Sequence, residues 1–275
     1  MLERQQWFKG KPDYENYGLA RASESEAYSG HLLKAQDLAE RAAASAGKAD
    51  NKENASVLLS NSALRLAAFG DRAEARKKAA EALKLAPTVE GAEVQAALAD
   101  DATHAESLVR DLAKRFPLDT QMQSLWLPAI RTQLALDKKN PDPAPNDLQS
   151  ATTIELGTVP FGTATGLYWI YVRGEANLAT GNGGSAAAEF QKILDHNGIV
   201  WNCWTGALAR LGVARANALQ SRTAQGADAD AARVRALAAY KDFLTLWKDA
   251  DSDLPVYRQA EAEYAKLRTI SNRSY

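Results

Sequence analysis

Residues 54–87 read as two amphipathic helices joined by a tight turn, and the same pattern recurs along the chain. In the second half of this stretch, Gly70-Asp71 is followed by Ala75, Ala79, Ala82-Leu83 and Leu85, and Pro87 closes the unit. Glycine tolerates the left-handed backbone of a tight turn, and proline cannot continue a helix. In the first half, Leu59, Ala63, Leu66 and Ala67 stand at i, i+4, i+7 and i+8, the spacing of one helix face. Small residues at the contact let two helices approach closely, and the larger apolar ones fill the space between neighbouring pairs.

The order of turn glycine, small residue, apolar stripe and closing proline resembles a tetratricopeptide unit. Upstream, Gly30 precedes Ala35, Leu38, Ala39 and Ala42; downstream, Ala105, Leu108, Val109, Leu112 and Phe116 end at Pro117. Pro87 and Pro117 are 30 residues apart, short of the roughly 34 usual for this repeat, so the helix over 89–99 is expected to be short. A fourth hairpin starts near Asp119, with Leu125, Trp126, Ile130 and Leu134 on its first helix and a kink expected at Pro128. Pro141, Pro143 and Pro145 make residues 140–147 a loop, and a short helix is expected from there to Leu156. Residues 157–166 again read as loop. The fifth hairpin runs from Leu167 through the turn Gly181-Asn182-Gly183-Gly184 to Leu194. The sixth joins the stripe around Leu211, Gly212 and Ala214 to that of Ala236, Tyr240, Phe243 and Leu244, with residues 220–230 expected as an extended polar turn. A last helix after Pro255, carrying Ala260, Tyr264 and Leu267, caps the array. The expected fold is all-α: a right-handed α-solenoid of about six tetratricopeptide-like hairpins and a capping helix. It forms one domain over 1–275, with a subdivision at 140–147 into 1–139 and 148–275 as the alternative.

Composition narrows the function classes. The net charge is −1, with no basic stripe such as nucleic-acid binding needs. Arg76-Lys77-Lys78 reads as a solvated helix face. The single cysteine, Cys203, precludes an intrachain disulfide. No apolar run approaches the ~20 residues of a membrane span, and Met1–Trp7 lacks the apolar stretch of a signal peptide. These opening residues read as the middle of a helical region, which suggests a piece of a longer protein.

A more specific likeness lies in 171–267. The segments Tyr171-Val172-Arg173-Gly174-Glu175-Ala176, Ala187–His196, Gly206–Gly212 and Phe243–Asp251, with Ala49–Glu53 and Lys114–Thr120 upstream, together resemble the C-terminal repeat region of bacterial eukaryotic-like serine/threonine protein kinases of the acidobacterial type. The resemblance spans most of the chain. It departs from that pattern at Pro143 and Pro145 and in the insert 220–230. It implies a regulatory, sensor or scaffold module that binds a protein or peptide, on the extracytoplasmic side of a membrane-anchored kinase or otherwise cytoplasmic. The kinase motifs themselves are missing: there is no Gly-rich nucleotide loop, no His-Arg-Asp and no Asp-Phe-Gly. The chain is therefore expected to carry out no catalysis and to need no cofactor. The repeat tail of a transcriptional regulator is the second reading.

Candidate residues follow from the repeat. First-helix positions of such arrays line a concave groove. Aligning Gly174 with the repeat's internal glycine turns Tyr168, Tyr171 and Glu175 toward it, and Val57, Ser60, Asn61 and Leu64 fall at matching positions of the second hairpin. Tyrosines exposed there would suit a protein interface. The set lacks the Lys/Asn clamp for a peptide carboxylate, so capture of peptide C-termini is disfavoured. Trp169 reads as core. Cys203 with His196 is the one nucleophile–base pair to weigh, and a small buried cysteine is the simpler reading. His31 and His196 read as helix-end residues, and with His104 they lack zinc-ligand spacing. Gly181–Gly184 between helices reads as a turn and not as a phosphate cradle.

Overall fold

The computed structural model describes residues 7–99, 102–141, 148–157 and 166–271, and among these there is no strand. Five successive pairs of helices carry the architecture: α1 (Pro12–Tyr28) with α2 (Leu32–Lys48), α3 (Lys52–Phe69) with α4 (Arg72–Leu85), α5 (Glu90–Ala99) with α6 (Ala102–Arg115), α8 (Tyr168–Ala179) with α9 (Gly183–Asp195), and α11 (Trp204–Thr223) with α12 (Gly226–Leu246). Between the third and fourth pairs lies α7 (Leu127–Asp137). A single turn, α10 (Asn197–Val200), leads into α11, and α13 (Pro255–Ser271) ends the described chain. No helix among the described residues is long and apolar enough to cross a membrane.

The turn chemistry sets the boundaries. Gly70 ends α3 in the left-handed conformation, at φ 103°, and Asp71 then caps α4 by accepting the Glu74 N–H at 3.1 Å. Asn51 caps α3 through the Asn54 N–H, and Asp119 accepts the Met122 N–H at 2.7 Å. The helix expected over 89–99 to be short has 10 residues, Glu90–Ala99.

One local expectation is corrected. Residues 220–230 are not an extended turn: α11 runs to Thr223 and α12 starts at Gly226. This polar stretch carries three alanines and two glutamines, good helix formers that need no core contact to continue a helix. Pro128 stands inside a continuous helical run over 120–137, two residues after a π-helical turn at Met122–Trp126, so its missing N–H falls where the regular ladder is already interrupted. The short helix expected before Leu156 is a 3-10 helix, Gln149–Thr153. Most of the two proline- and glycine-marked loops, at 142–147 and 158–165, lies outside the described residues.

The first helices of the pairs, together with the unpaired α7, touch in sequence, α3 on α5, α5 on α7, α7 on α8 and α8 on α11, and α11 then packs back on α1. Polar bonds tie α1 to α3: Glu24 accepts from Asn61 Nδ2 and from Arg65 Nη1, both at 2.8 Å. The circuit of inner helices is therefore closed. The end of the chain seals it on the outside. Trp247 Nε1 donates to the Tyr28 carbonyl at 2.9 Å, the Asp251 N–H donates to the Gly30 carbonyl at 3.1 Å, and the Leu33 N–H donates to Asp251 Oδ2 at 2.8 Å. Between the two ends, Phe69 packs against Trp204 and Trp247 with ring centroids 6.4 and 5.1 Å apart. Trp169, Trp204, Trp247, Phe69, Phe190 and Phe243 are all fully buried.

Gly30 shows how tight this seam is. It has φ 83°, and a Cβ placed there would stand 2.5 Å from the Ala250 Cβ and 2.8 Å from the Trp247 ring. Gly30→Ala is expected to cost about 1–3 kcal/mol through backbone strain and overpacking. The measurement is urea unfolding followed by Trp fluorescence; an unchanged midpoint would show that the seam yields freely.

Candidate functional site

The closed circuit changes what the inner face offers. Ser60 and Asn61 point inward but are consumed there: Ser60 Oγ donates to Gln95 Oε1 at 2.9 Å, and Asn61 donates to Glu24. Both are buried, as are Leu64, 1% exposed, and Tyr168, 3% exposed. Tyr171 and Glu175 are half-buried. The expectation of an open groove displaying these side chains is corrected. The inner helices meet their own first member, so the space a partner would enter is filled by the chain's own aromatics. Tyr168 and Tyr171 pack edge-on against Trp204, with centroids 5.8 and 6.0 Å apart, and are not free anchors.

Four of the six residues nevertheless meet at one place. Leu64, Tyr168, Tyr171 and Glu175 line a cavity of about 220 Å³, closed further by Arg72 and Asp137. Its polar wall is a chain of hydrogen bonds. Tyr168 Oη donates to Gln133 Oε1 at 2.9 Å, and Gln133 Nε2 donates to Asp137 Oδ1 at 2.9 Å. Arg72 grips both oxygens of Asp137, Nη1 to Oδ2 at 2.9 Å and Nη2 to Oδ1 at 2.6 Å. Such a fork holds a carboxylate in fixed orientation. Leu64, Ala67, Ala68, Leu98 and Leu136 supply the apolar side.

Burial governs the charges on this wall. It pushes the Tyr171 phenol well up, with the Glu175 charge adding to it, and it also raises Tyr168, so both remain hydrogen-bond donors. Burial raises the Glu175 carboxyl too, with the Arg215 guanidinium and Tyr171 pulling it back. The site therefore presents phenols, a carboxyl, an amide and a fixed guanidinium–carboxylate fork around a space that fits one side chain or a small polar molecule.

The alternative chemistry finds little support. Burial, aided by the charge of Glu24, pushes the Cys203 thiol up to about 12, the opposite of the depressed value an activated nucleophile needs. His196 closes α9 and spends Nδ1 on the Lys192 carbonyl at 2.7 Å. His31 stands at the start of α2 with Nδ1 2.7 Å from Glu26 Oε2. No group of three metal-ligating side chains gathers among the described residues. Gly181 and Asn182 form the turn between α8 and α9, and Gly183 and Gly184 already belong to α9. Trp169 is core, 1% exposed, and donates from Nε1 to the Glu155 carbonyl at 3.0 Å. Trp201, by contrast, is 62% exposed.

Sequence reasoning missed Arg72, Gln133 and Asp137, which come from other helices and carry no motif. It also missed the buried cluster that pins residues 148–157: Arg173 donates to Glu155 Oε2 at 2.7 Å, to Glu189 Oε2 at 2.5 Å and to the Leu148 carbonyl at 3.1 Å, while Lys192 reaches Glu155 Oε1 at 2.7 Å. The arginine in the Tyr171–Ala176 stretch was the available signal, since a charge at a helix position flanked by Val172 and Gly174 demands a buried partner.

Comparisons with protein-family models, with curated proteins and with solved structures give no match.

Proposed function

We propose that this chain is a tetratricopeptide-like right-handed solenoid, wound until its ends meet, that acts as a protein- or peptide-binding module without catalysis of its own. Its setting, on this proposal, is the regulatory or scaffold region of a bacterial eukaryotic-like serine/threonine kinase. The residues that resemble that region, from Tyr171-Val172-Arg173-Gly174 to the stretch ending at Asp251, support the setting. The single observation that carries the binding reading is the cavity, where side chains from α3, α4, α5, α7 and α8 converge on a space with one polar and one apolar wall. Five separate helices supplying one lined space fit a receptor for one inserted side chain of a partner better than they fit a packing defect, because interiors are otherwise close-packed.

Ala68→Met tests this. Ala68 is half-buried on the cavity wall, so the added atoms enter the space without removing a core side chain. A displayed random-peptide library selected on the parent chain is expected to yield peptides sharing one anchor residue. Their retention should fall at least ~10-fold on the variant, about 1.4 kcal/mol, at an unchanged unfolding midpoint. Failure to enrich any shared sequence, or equal retention by the filled variant, refutes the site. The kinase setting has its own test in the gene: coding sequence for a kinase domain ahead of residue 1 supports it, and a winged-helix domain there refutes it.

A further inference from the structure

We propose that the cleft between α8, α11, α12 and α13 binds a small organic anion, a carboxylate or phosphate ester carried on an apolar body. The cleft has a volume of about 580 Å³, within the roughly 300–1,000 Å³ of small-molecule sites. Leu178, Ala218, Leu219 and Leu267 give it an apolar floor, and Tyr240 stands at its inner end. Its charges do not balance. Four cations, Arg215, Arg222, Arg233 and Lys266, face two carboxylates, Asp230 and Glu263.

Both carboxylates are already engaged. Glu263 Oε2 accepts from Arg215 Nε and from Tyr240 Oη, each at 2.9 Å. Asp230 Oδ1 accepts from Arg233 Nη2 at 2.7 Å. Arg215 is further committed, because the charge of Glu175 joins that of Glu263 in stabilising its guanidinium. That leaves Arg222 and Lys266 with no carboxylate within ion-pair distance among the described residues. Two unspent cations over an apolar floor select a ligand with one anionic end and a hydrocarbon or aromatic remainder. A neutral body alone leaves the cations unmet, and a bare inorganic anion leaves the floor wet.

This cleft is separate from the cavity lined by Leu64 and Tyr168, so its test is independent of the proposed partner binding. Titration calorimetry on the full chain would use octanoate and phenyl phosphate, with octanol, octylamine and inorganic phosphate as controls. Octanoate, phenyl phosphate or both are expected to bind, and the affinity should fall as salt rises, because the attraction is between partly exposed charges. A carboxylate-only or phosphate-only response identifies which head group the cleft takes, and either supports the site. The double variant Arg222→Ala/Lys266→Ala replaces two exposed side chains, so the unfolding midpoint should hold while the anion's affinity drops at least ~10-fold. Absence of binding by either anion at millimolar concentration overturns the assignment. So does equal binding of octanol or octylamine, or undiminished affinity in the double variant.

Discussion

Arg65→Met is expected to lower the unfolding free energy by about 3–5 kcal/mol at pH 7, because it leaves the Glu24 carboxylate in the ring interior without its counter-charge. Arg65 is 1% and Glu24 3% exposed, and Arg65 Nη1 lies 2.8 Å from Glu24 Oε1. Burial raises the Glu24 carboxyl, while Arg65, Asn61 and Arg21 pull it back down. A carboxyl raised in the folded state binds more protons folded than unfolded. Stability therefore falls as pH climbs from the ordinary carboxylate range through the folded value. Without Arg65 that folded value moves further up, so the variant's deficit relative to the parent should be smallest near pH 4.5 and grow toward pH 8. Glu24→Met combined with Arg65→Met should recover most of the loss. The pair is incompletely bonded, with Glu24 Oε2, Arg65 Nε and the neighbouring Asn61 Oδ1 making no hydrogen bond, and an apolar replacement of both members is often neutral. Urea unfolding at three pH values decides the matter; a deficit independent of pH, or a double variant as weak as the single one, contradicts it.

Phe190→Ala is the second change with a large expected effect, about 3–5 kcal/mol. The fully buried Phe190 ring is clasped between two glycines on facing helices. A Cβ built on Gly174 of α8 would lie 2.7 Å from it, and one on Gly212 of α11 only 2.5 Å. This close approach ties α9 to both inner neighbours, so losing the ring opens a cavity at the point where the fourth pair joins the fifth. The same geometry predicts a reversal of sign. In the parent, Gly212→Ala collides with the ring at a cost of about 1–3 kcal/mol, partly offset by the ~1 kcal/mol better helix propensity of alanine. In the Phe190→Ala background the collision is gone and Gly212→Ala should stabilise. A double-mutant cycle measures the coupling, and simple additivity within ~0.5 kcal/mol would show that the ring does not press on Gly212.

Local features were legible before any coordinates. Gly70-Asp71 announced a turn because a left-handed residue followed by a capping carboxylate has few other uses. The alanines at 75, 79 and 82 announced a buried face by their spacing, and all three are fully buried. Pro87 and Pro117 bounded a helix pair by geometry alone. The stretch 220–230 was misjudged because polar, alanine-rich sequence is compatible with both turn and exposed helix, and no neighbour in the sequence decides between them. The candidate site was legible only in part. Helical period shows which way Tyr168, Tyr171, Glu175 and Leu64 face within their own helices. It cannot show that Arg72, Gln133 and Asp137 arrive beside them from elsewhere.

The deepest division lies between direction and enclosure. Side-chain spacing along each helix, the caps and the turn glycines determined which residues face inward, because these depend on contacts a few residues apart. Whether inward meant an open groove or a closed interior was decided by contacts between distant parts of the chain, Trp247 onto Tyr28, Asp251 onto Gly30 and α11 onto α1, across some 180 to 220 residues that no local pattern encodes.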